Sequence, residues 1–162
     1  MKRASLPLLL LFIPLFLLLG CAVDPNTGER VKPQPPSPLQ AGASARVIMS
    51  SSLLAAKVDR DTSETIHRAL VDVRKVTLDF LKGPTDPLDP TQPLQEQYGG
   101  VLGKYDPQIA LIVDSVLQLV IITIQPMIDT KKTELATEYV EHIFNGAITA
   151  ISLYQMTLPP GG

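Results

Sequence analysis

The fold is decided by residues 106–124, which read DPQIALIVDSVLQLVIITI. Asp106 is suited to cap a helix, and Pro107 to occupy its first position, where the missing N–H has no helical partner anyway. Between residues 109 and 124, apolar side chains cover nearly the whole circumference of such a helix, with Asp114 as the charged interruption. A helix that is apolar nearly all round is normally buried. The stretch therefore predicts a central helix, and at about 16 residues it is a poor membrane span.

The end of this stretch leaves two questions open. The run Val120-Ile121-Ile122-Thr123-Ile124 is β-branched throughout, which is also typical of a strand. Pro126 is expected to end or kink a helix, because proline lacks the backbone N–H and its ring crowds the preceding turn. We expect a helix over about 107–125, with a strand over 120–124 as the alternative.

The clearest amphipathic pattern lies at residues 62–82. Apolar side chains recur there at helical spacing, with charged side chains on the opposite face. Asp61 or Thr62 is expected to cap the start, and Gly83-Pro84 to stop the helix. Residues 44–58 are rich in helix-forming and apolar residues, so we expect helical structure over about 44–82, either continuous or divided in two.

The last predicted helix covers residues 130–156, with Thr130 or Thr133 as its cap and a broad apolar face. Residues 83–106 are expected to form a Pro-rich loop, because proline recurs there at every third position from 84 to 93, which matches the turn of polyproline II. Such a strut either packs across its own domain or serves as a ligand for an aromatic groove. Residues 159–162 are expected to form a frayed tail.

Together these elements predict an all-α fold. The helices over about 44–82, 107–125 and 130–156 are expected to pack as a small antiparallel three- to four-helix bundle over residues 44–158.

The N-terminus predicts export. Lys2 and Arg3 precede an apolar run that ends at Leu19, and the small residue Gly20 and then Cys21 follow. A cationic start, an apolar segment of about 14 residues and a small residue at the cut are typical of a secretory signal peptide, expected over residues 1–20. The ending Leu18-Leu19-Gly20-Cys21 resembles the lipobox of bacterial lipoproteins.

The resemblance implies cleavage between Gly20 and Cys21 and attachment of diacylglycerol to the Cys21 thiol, with acylation of its amine, palmitate being the expected chain type. Several acyl chains anchor a protein stably, whereas one does so only marginally. In that family, Asp directly after the cysteine tends to retain a lipoprotein at the inner membrane. Ala22 stands there, which implies the outer membrane of a diderm cell, on its periplasmic side or its surface.

Residues 21–43 predict a lipidated tether. Four prolines between residues 33 and 38 favour polyproline II, and the segment has too little apolar surface to fold alone. At about 3.1 Å per residue, the 22 residues after Cys21 would reach roughly 70 Å when extended.

Composition excludes several functions. Loss of Lys2 and Arg3 with the signal peptide leaves 12 basic and 16 acidic side chains, a net charge of −4. That balance argues against a nucleic-acid partner. Aromatic residues make up 5% and tryptophan is absent, so a sugar-stacking cleft is not expected. Cys21 is the single cysteine, so no intramolecular disulfide can form.

Chemical motifs are weak. Glu64-Thr65-Ile66-His67 has the Glu-x-x-His spacing of di-iron bundles, but the only other histidine, His142, lacks a matching glutamate, and Glu64 should face water. No Gly-x-Ser-x-Gly elbow is present. Asp114, on a buried helix, should be hydrogen-bonded. We therefore expect no catalytic residues, no metal and no cofactor.

Three functions fit these observations. The first is a non-enzymatic envelope lipoprotein, held in the membrane through Cys21, whose helical domain binds an envelope protein as an interaction or assembly module. The second is a carrier of a small apolar ligand or lipid, with a cavity around residues 109–124. The third is a phage-derived or defence lipoprotein that acts on an envelope receptor.

Overall fold

A computed structural model describes residues 36–83 and 92–159. These residues form five α-helices and no strand: α1 (Pro38–Ala56), α2 (Arg60–Lys82), α3 (Gln92–Leu102), α4 (Pro107–Asp129) and α5 (Thr133–Thr157). The predicted all-α fold is confirmed. Residues 120–124 lie inside α4, so the strand alternative is wrong.

Helix α1 begins earlier than the sequence suggested. Ser37 caps it in a reciprocal capping box: the Ser37 hydroxyl accepts from the N–H of Gln40, and the Gln40 side chain accepts from the N–H of Ser37. Pro38 occupies the first turn, where proline is favoured. The prediction of a tether through residue 43 is therefore wrong for residues 38–43, because Pro38 and the small residues after it start a helix. Residues 21–35 of that prediction lie outside the described residues.

A short turn separates α1 from α2, so the helical region predicted over 44–82 is divided in two. Lys57 adopts a left-handed conformation with φ of 50°, and its N–H donates to the carbonyls of Leu53 and Leu54, a common way for a helix to end. Asp59 then caps α2 by accepting from the N–H of Thr62. The expected caps Asp61 and Thr62 lie inside the first turn, whereas the predicted end before Gly83 is confirmed.

The predicted loop over 83–106 contains α3, so that prediction is wrong for residues 92–102. Two buried side chains, Leu94 and Tyr98, lie one turn apart and join the core. The hydroxyl of Thr77 on α2 donates to the carbonyl of Val73 and lies 2.7 Å from the Tyr98 hydroxyl, which can then donate to it. Tertiary burial therefore outweighs the local preference of the proline-rich stretch.

The start of α4 is as predicted: Asp106 accepts from the N–H of Gln108, and Pro107 occupies the first turn. Its end is not, because the helix continues past Pro126 to Asp129. Pro126 is exposed, and the Thr130 hydroxyl donates to the carbonyls of Pro126 and Met127. Thr130 thus closes α4 rather than capping the next helix.

At 23 residues, α4 is longer than expected and is long and apolar enough, by length and composition alone, to cross a membrane. Half of its most apolar stretch of 18 residues is buried inside the protein. The inward side chains with no exposed surface include Val113, Val116, Leu117, Val120 and Ile124. The predicted burial of this stretch is confirmed for that side and is wrong for the outer side, where Leu111 is 72% and Ile122 is 71% exposed.

Helix α5 contacts α1, α2 and α4. It begins at Thr133, with Lys132 in the cap position and no side-chain capping bond, so neither threonine caps it through its side chain. Its buried residues are Ala136, Tyr139, Val140, Ile143, Phe144, Ala147, Ala150 and Ile151. This broad apolar face explains why α5 has three neighbouring helices.

Hydrogen bonds fix the direction of three helices. The Tyr139 hydroxyl on α5 donates to the carbonyl of Pro36, just before α1, and the Tyr154 hydroxyl donates over 2.7 Å to the carbonyl of Val58, just after α1. Helices α1 and α5 therefore run in the same direction. Helix α2 runs the opposite way, because Gln155 donates to Ser63 near its start. Helices α1 and α2 thus run in opposite directions, and a parallel first and last helix is also what an alternating order of five helices gives. The antiparallel bundle itself stays a prediction.

Stability should fall at alkaline pH, and Tyr98 should contribute to the fall. Burial raises the pKa of the Tyr98 phenol, and the hydrogen bond to Thr77 lowers that pKa by a smaller amount. The folded protein thus keeps a proton that the unfolded chain loses near pH 10, so this contribution is complete below pH 10 and is lost as pH rises further. We expect Tyr98→Phe to flatten the decline in unfolding free energy between pH 9 and 11, measured by urea denaturation. An unchanged slope would contradict this assignment.

Candidate functional site

The residues that the sequence singled out fall in different places. Gly20 and Cys21 lie outside the described residues. Glu64 is exposed on α2, as expected, while His67 and His142 are half-buried on different helices. Asp114 is half-buried and accepts from the Gln118 side chain over 3.4 Å. Within residues 36–83 and 92–159, no three His, Cys, Asp or Glu side chains lie close enough to hold a metal ion.

A close backbone contact between helices joins Gly42 of α1 to Gly146 of α5. A Cβ added to Gly42 would lie 2.6 Å from the carbonyl oxygen of His142. A Cβ added to Gly146 would overlap the carbonyl oxygen of Gly42. Glycine is needed at both positions because each helix backbone occupies the space that a side chain would fill.

This close packing leaves a shallow groove along the outer side of the two helices. We call it the α1–α5 groove. Its volume is about 390 Å³. The side chains along its two edges are Leu39, Ala43 and Val47 from α1 and Asn145 and Thr149 from α5, with Arg46 and His142 beside them. The groove is therefore lined mainly by apolar and small side chains, and Arg46 is its one permanently charged residue.

A second, more polar cleft lies between α2 and the turn before α4. Its volume is about 680 Å³, and its lining includes His67, Arg68, Asp72, Lys104 and Tyr105. The Tyr105 hydroxyl donates to Asp72 over 2.7 Å. Burial, with this bond and the charge of Asp72, raises the pKa of the phenol. Tyr105 is therefore a hydrogen-bond donor at neutral pH and not a base, and the bond ties the turn to α2.

Cross-helix polar contacts hold α2 against α5. Arg74 forms an ion pair with Glu141, and Arg60 donates to the carbonyl of Gln155 over 3.2 Å. The Nε atoms of both arginines are buried without a hydrogen-bond partner. These side chains position helices and do not converge on a common cleft.

Sequence reasoning missed the features that define both surfaces. The signal for the groove is the pair of small-residue clusters Ala41-Gly42-Ala43 and Gly146-Ala147, which share helix faces with Ala45 and Ala150. Small residues at helical spacing indicate close backbone approach, but the pattern does not identify the partner helix. Tyr105 lies in the short turn that begins at Gly103, where no periodic signal marks it.

We found no family model, curated protein or solved structure that matches this chain.

Replacement of Gly146 by alanine should destabilise the protein, because the new methyl group meets the backbone of α1 and not a movable side chain. Overpacking of this kind costs about 1–3 kcal/mol. Gly99 on α3 is the matched control: a Cβ there meets nothing within 4 Å, and Gly→Ala in a helix should stabilise by about 1 kcal/mol. Urea denaturation of both variants measures the difference. Equal stability of Gly146→Ala and the native protein would contradict the close backbone contact.

Proposed function

We propose that this protein is a non-enzymatic lipoprotein of the cell envelope, anchored through Cys21, whose helical body acts by contact with other envelope components. The observation that carries the proposal is the order of features at the N-terminus: Lys2 and Arg3, an uninterrupted apolar run, and then Leu18-Leu19-Gly20-Cys21. A thiol at that position, followed by Ala22, fits lipid attachment and sorting to the outer membrane of a diderm cell.

The helical body fits a role as an anchored interaction module. We propose that its helices form one bundle, in which α5 packs on α1, α2 and α4. Cross-helix bonds such as Thr77 with Tyr98 and Asp72 with Tyr105 hold the intervening segments on it. Lipid attachment confines such a body to the membrane surface and raises its effective concentration near membrane-bound partners.

The carrier alternative has less support than the contact role. It needs a cavity around residues 109–124, but the inward side chains of that helix, among them Val113 and Leu117, are packed against their neighbours with no exposed surface. Ligand entry would require these contacts to separate.

The proposal is tested first by Cys21→Ser in a diderm bacterial host. The substitution removes the acyl acceptor, so we expect the protein to leave the membrane fraction after an alkaline wash without detergent. Mass spectrometry of the native N-terminal peptide should show Cys21 with diacylglycerol and an acyl chain. Ala22→Ser is the matched control that keeps the thiol. A Cys21→Ser protein that stays in the membrane fraction, or a native free thiol, would refute lipid anchoring.

Sorting provides a separate prediction. Ala22→Asp keeps the thiol and places the inner-membrane retention residue directly after it. We expect the protein to move from the outer to the inner membrane fraction with its lipid unchanged. The readout is separation of the two membranes on a sucrose gradient. An unchanged distribution would exclude the proposed sorting by residue 22.

The contact role is tested by crosslinking in intact cells, with the native protein compared with Cys21→Ser. Because anchoring supplies the local concentration, we expect the crosslinked envelope partner to be lost from the variant. Equal crosslinking in both proteins would argue that the body binds its partner without help from the lipid.

A further inference from the structure

The charges of the described residues are segregated. Every acidic side chain there lies between Asp59 and Glu141, so residues 36–58 and 142–159 contain none. These two acid-free segments are α1 with its flanking residues and the greater part of α5, and they pack directly on each other. In a chain with an acidic excess, the packing thus assembles one acid-free face.

This face also carries exposed apolar side chains. On α1, Leu39 is 72% exposed, and Val47 and Leu54 are each 65% exposed. They recur at intervals of eight and seven residues, which places them on one stripe of the helix. On α5, Met156 is 77% exposed and lies seven residues after the groove residue Thr149. Leu39 and Val47 line the α1–α5 groove, and Met156 lies on the same side of α5 as Thr149.

The remaining charges on this face are cationic. Arg46 lines the groove, and Lys57 follows the end of α1. The nearest acidic residues on α5 are Glu141, which is paired with Arg74, and Glu138, which lies one turn before His142 at the edge of the face. We name this surface, with Leu39, Val47, Leu54 and Met156 as its apolar members, the acid-free face.

We propose that the acid-free face lies on the surface of the lipid bilayer that holds Cys21, with its exposed apolar side chains in the headgroup region. This inference rests on the proposed lipid anchor and adds a second site of membrane contact to it. Interfacial helices bind bilayers through an apolar stripe and through cations near lipid phosphates. The acid-free face offers both.

Two further observations favour a bilayer as the occupant. Only 14 residues, 22–35, separate Cys21 from Pro36, so the start of α1 lies at most about 50 Å from the anchor. The acidic side chains of α2, such as Asp61, Asp72 and Asp79, lie outside the face. Anionic headgroups repel carboxylates within a Debye length of about 10 Å, which favours the orientation that turns the acid-free face toward the lipid.

Site-specific labelling tests this orientation in the anchored protein. An acylated Cys21 leaves no free thiol, so a cysteine introduced at Val47 is the only site for an environment-sensitive fluorophore. Val71→Cys is the matched control, because Val71 is an exposed valine (44%) on α2, beside Asp72 and outside the acid-free face. Both lipidated proteins are reconstituted into vesicles of phosphatidylethanolamine and phosphatidylglycerol at a ratio of about 3:1, with or without brominated acyl chains.

We expect the Val47→Cys probe to shift to shorter wavelength on reconstitution and to be quenched by brominated lipid, while the Val71→Cys probe does neither. In a second experiment, Val47→Asp is combined with a probe at Leu54→Cys. The added carboxylate should abolish the quenching, although the vesicles still retain the protein through its lipid.

The other outcomes separate the alternatives. A Val47→Cys probe that stays as solvent-exposed as the Val71→Cys probe overturns the bilayer contact. A wavelength shift without quenching by brominated lipid, accompanied by crosslinks between copies, also overturns it and assigns the face to self-association. The lipid anchor itself is checked first, on the native protein. If the fluorophore labels Cys21 and the protein does not float with the vesicles, the lipid anchor is refuted.

Discussion

The structure depends on the contact between the backbones of Gly42 and Gly146. Only the absence of two side chains lets α1 approach α5 so closely. The rest of the α1–α5 interface follows from this approach: Met49 and Leu53 are buried, and the hydroxyls of Tyr139 and Tyr154 reach carbonyls at opposite ends of α1. Helix α5 also packs on α2 and α4, so this contact joins the first helix to the rest of the body.

The same contact links the fold to the proposed function. It brings together the two segments that lack acidic residues, while the acidic side chains of the described residues lie on α2, α3, α4, the turns beside them and the first part of α5. The α1–α5 groove lies beside this contact, because the small residues there leave a shallow depression on the outer side of the two helices. A lipid at Cys21 would place this side of the body near a bilayer through a short connecting segment.

Much of the fold could be predicted from the sequence, and the failures have specific causes. Asp106-Pro107 and Gly83 carry local capping chemistry, and the helix boundaries predicted there are confirmed. Periodicity predicted α2 and α5 because each has one buried side. Helix α3 was missed because its stability comes from Leu94 and Tyr98 packing on distant residues, while its local sequence favours an extended strut.

The sites were less predictable than the helices. The α1–α5 groove combines residues about one hundred positions apart, and neither segment identifies its neighbour. The relative direction of distant helices could not be predicted for the same reason, because a turn length constrains only adjacent helices. The residues of the proposed anchor, by contrast, form a contiguous motif, which is why Cys21 could be identified from the sequence alone as a candidate.

The long separation between the paired helices has a consequence for how the chain reaches its native state. Tyr139 and Pro36 are 103 residues apart, so α1 is synthesised well before α5 and cannot bury its glycine face until α5 is available. Contacts of such high sequence separation form slowly, because a large loop must close before they contribute. Helix α1, the first of the described helices, is therefore among the last of them to complete its packing.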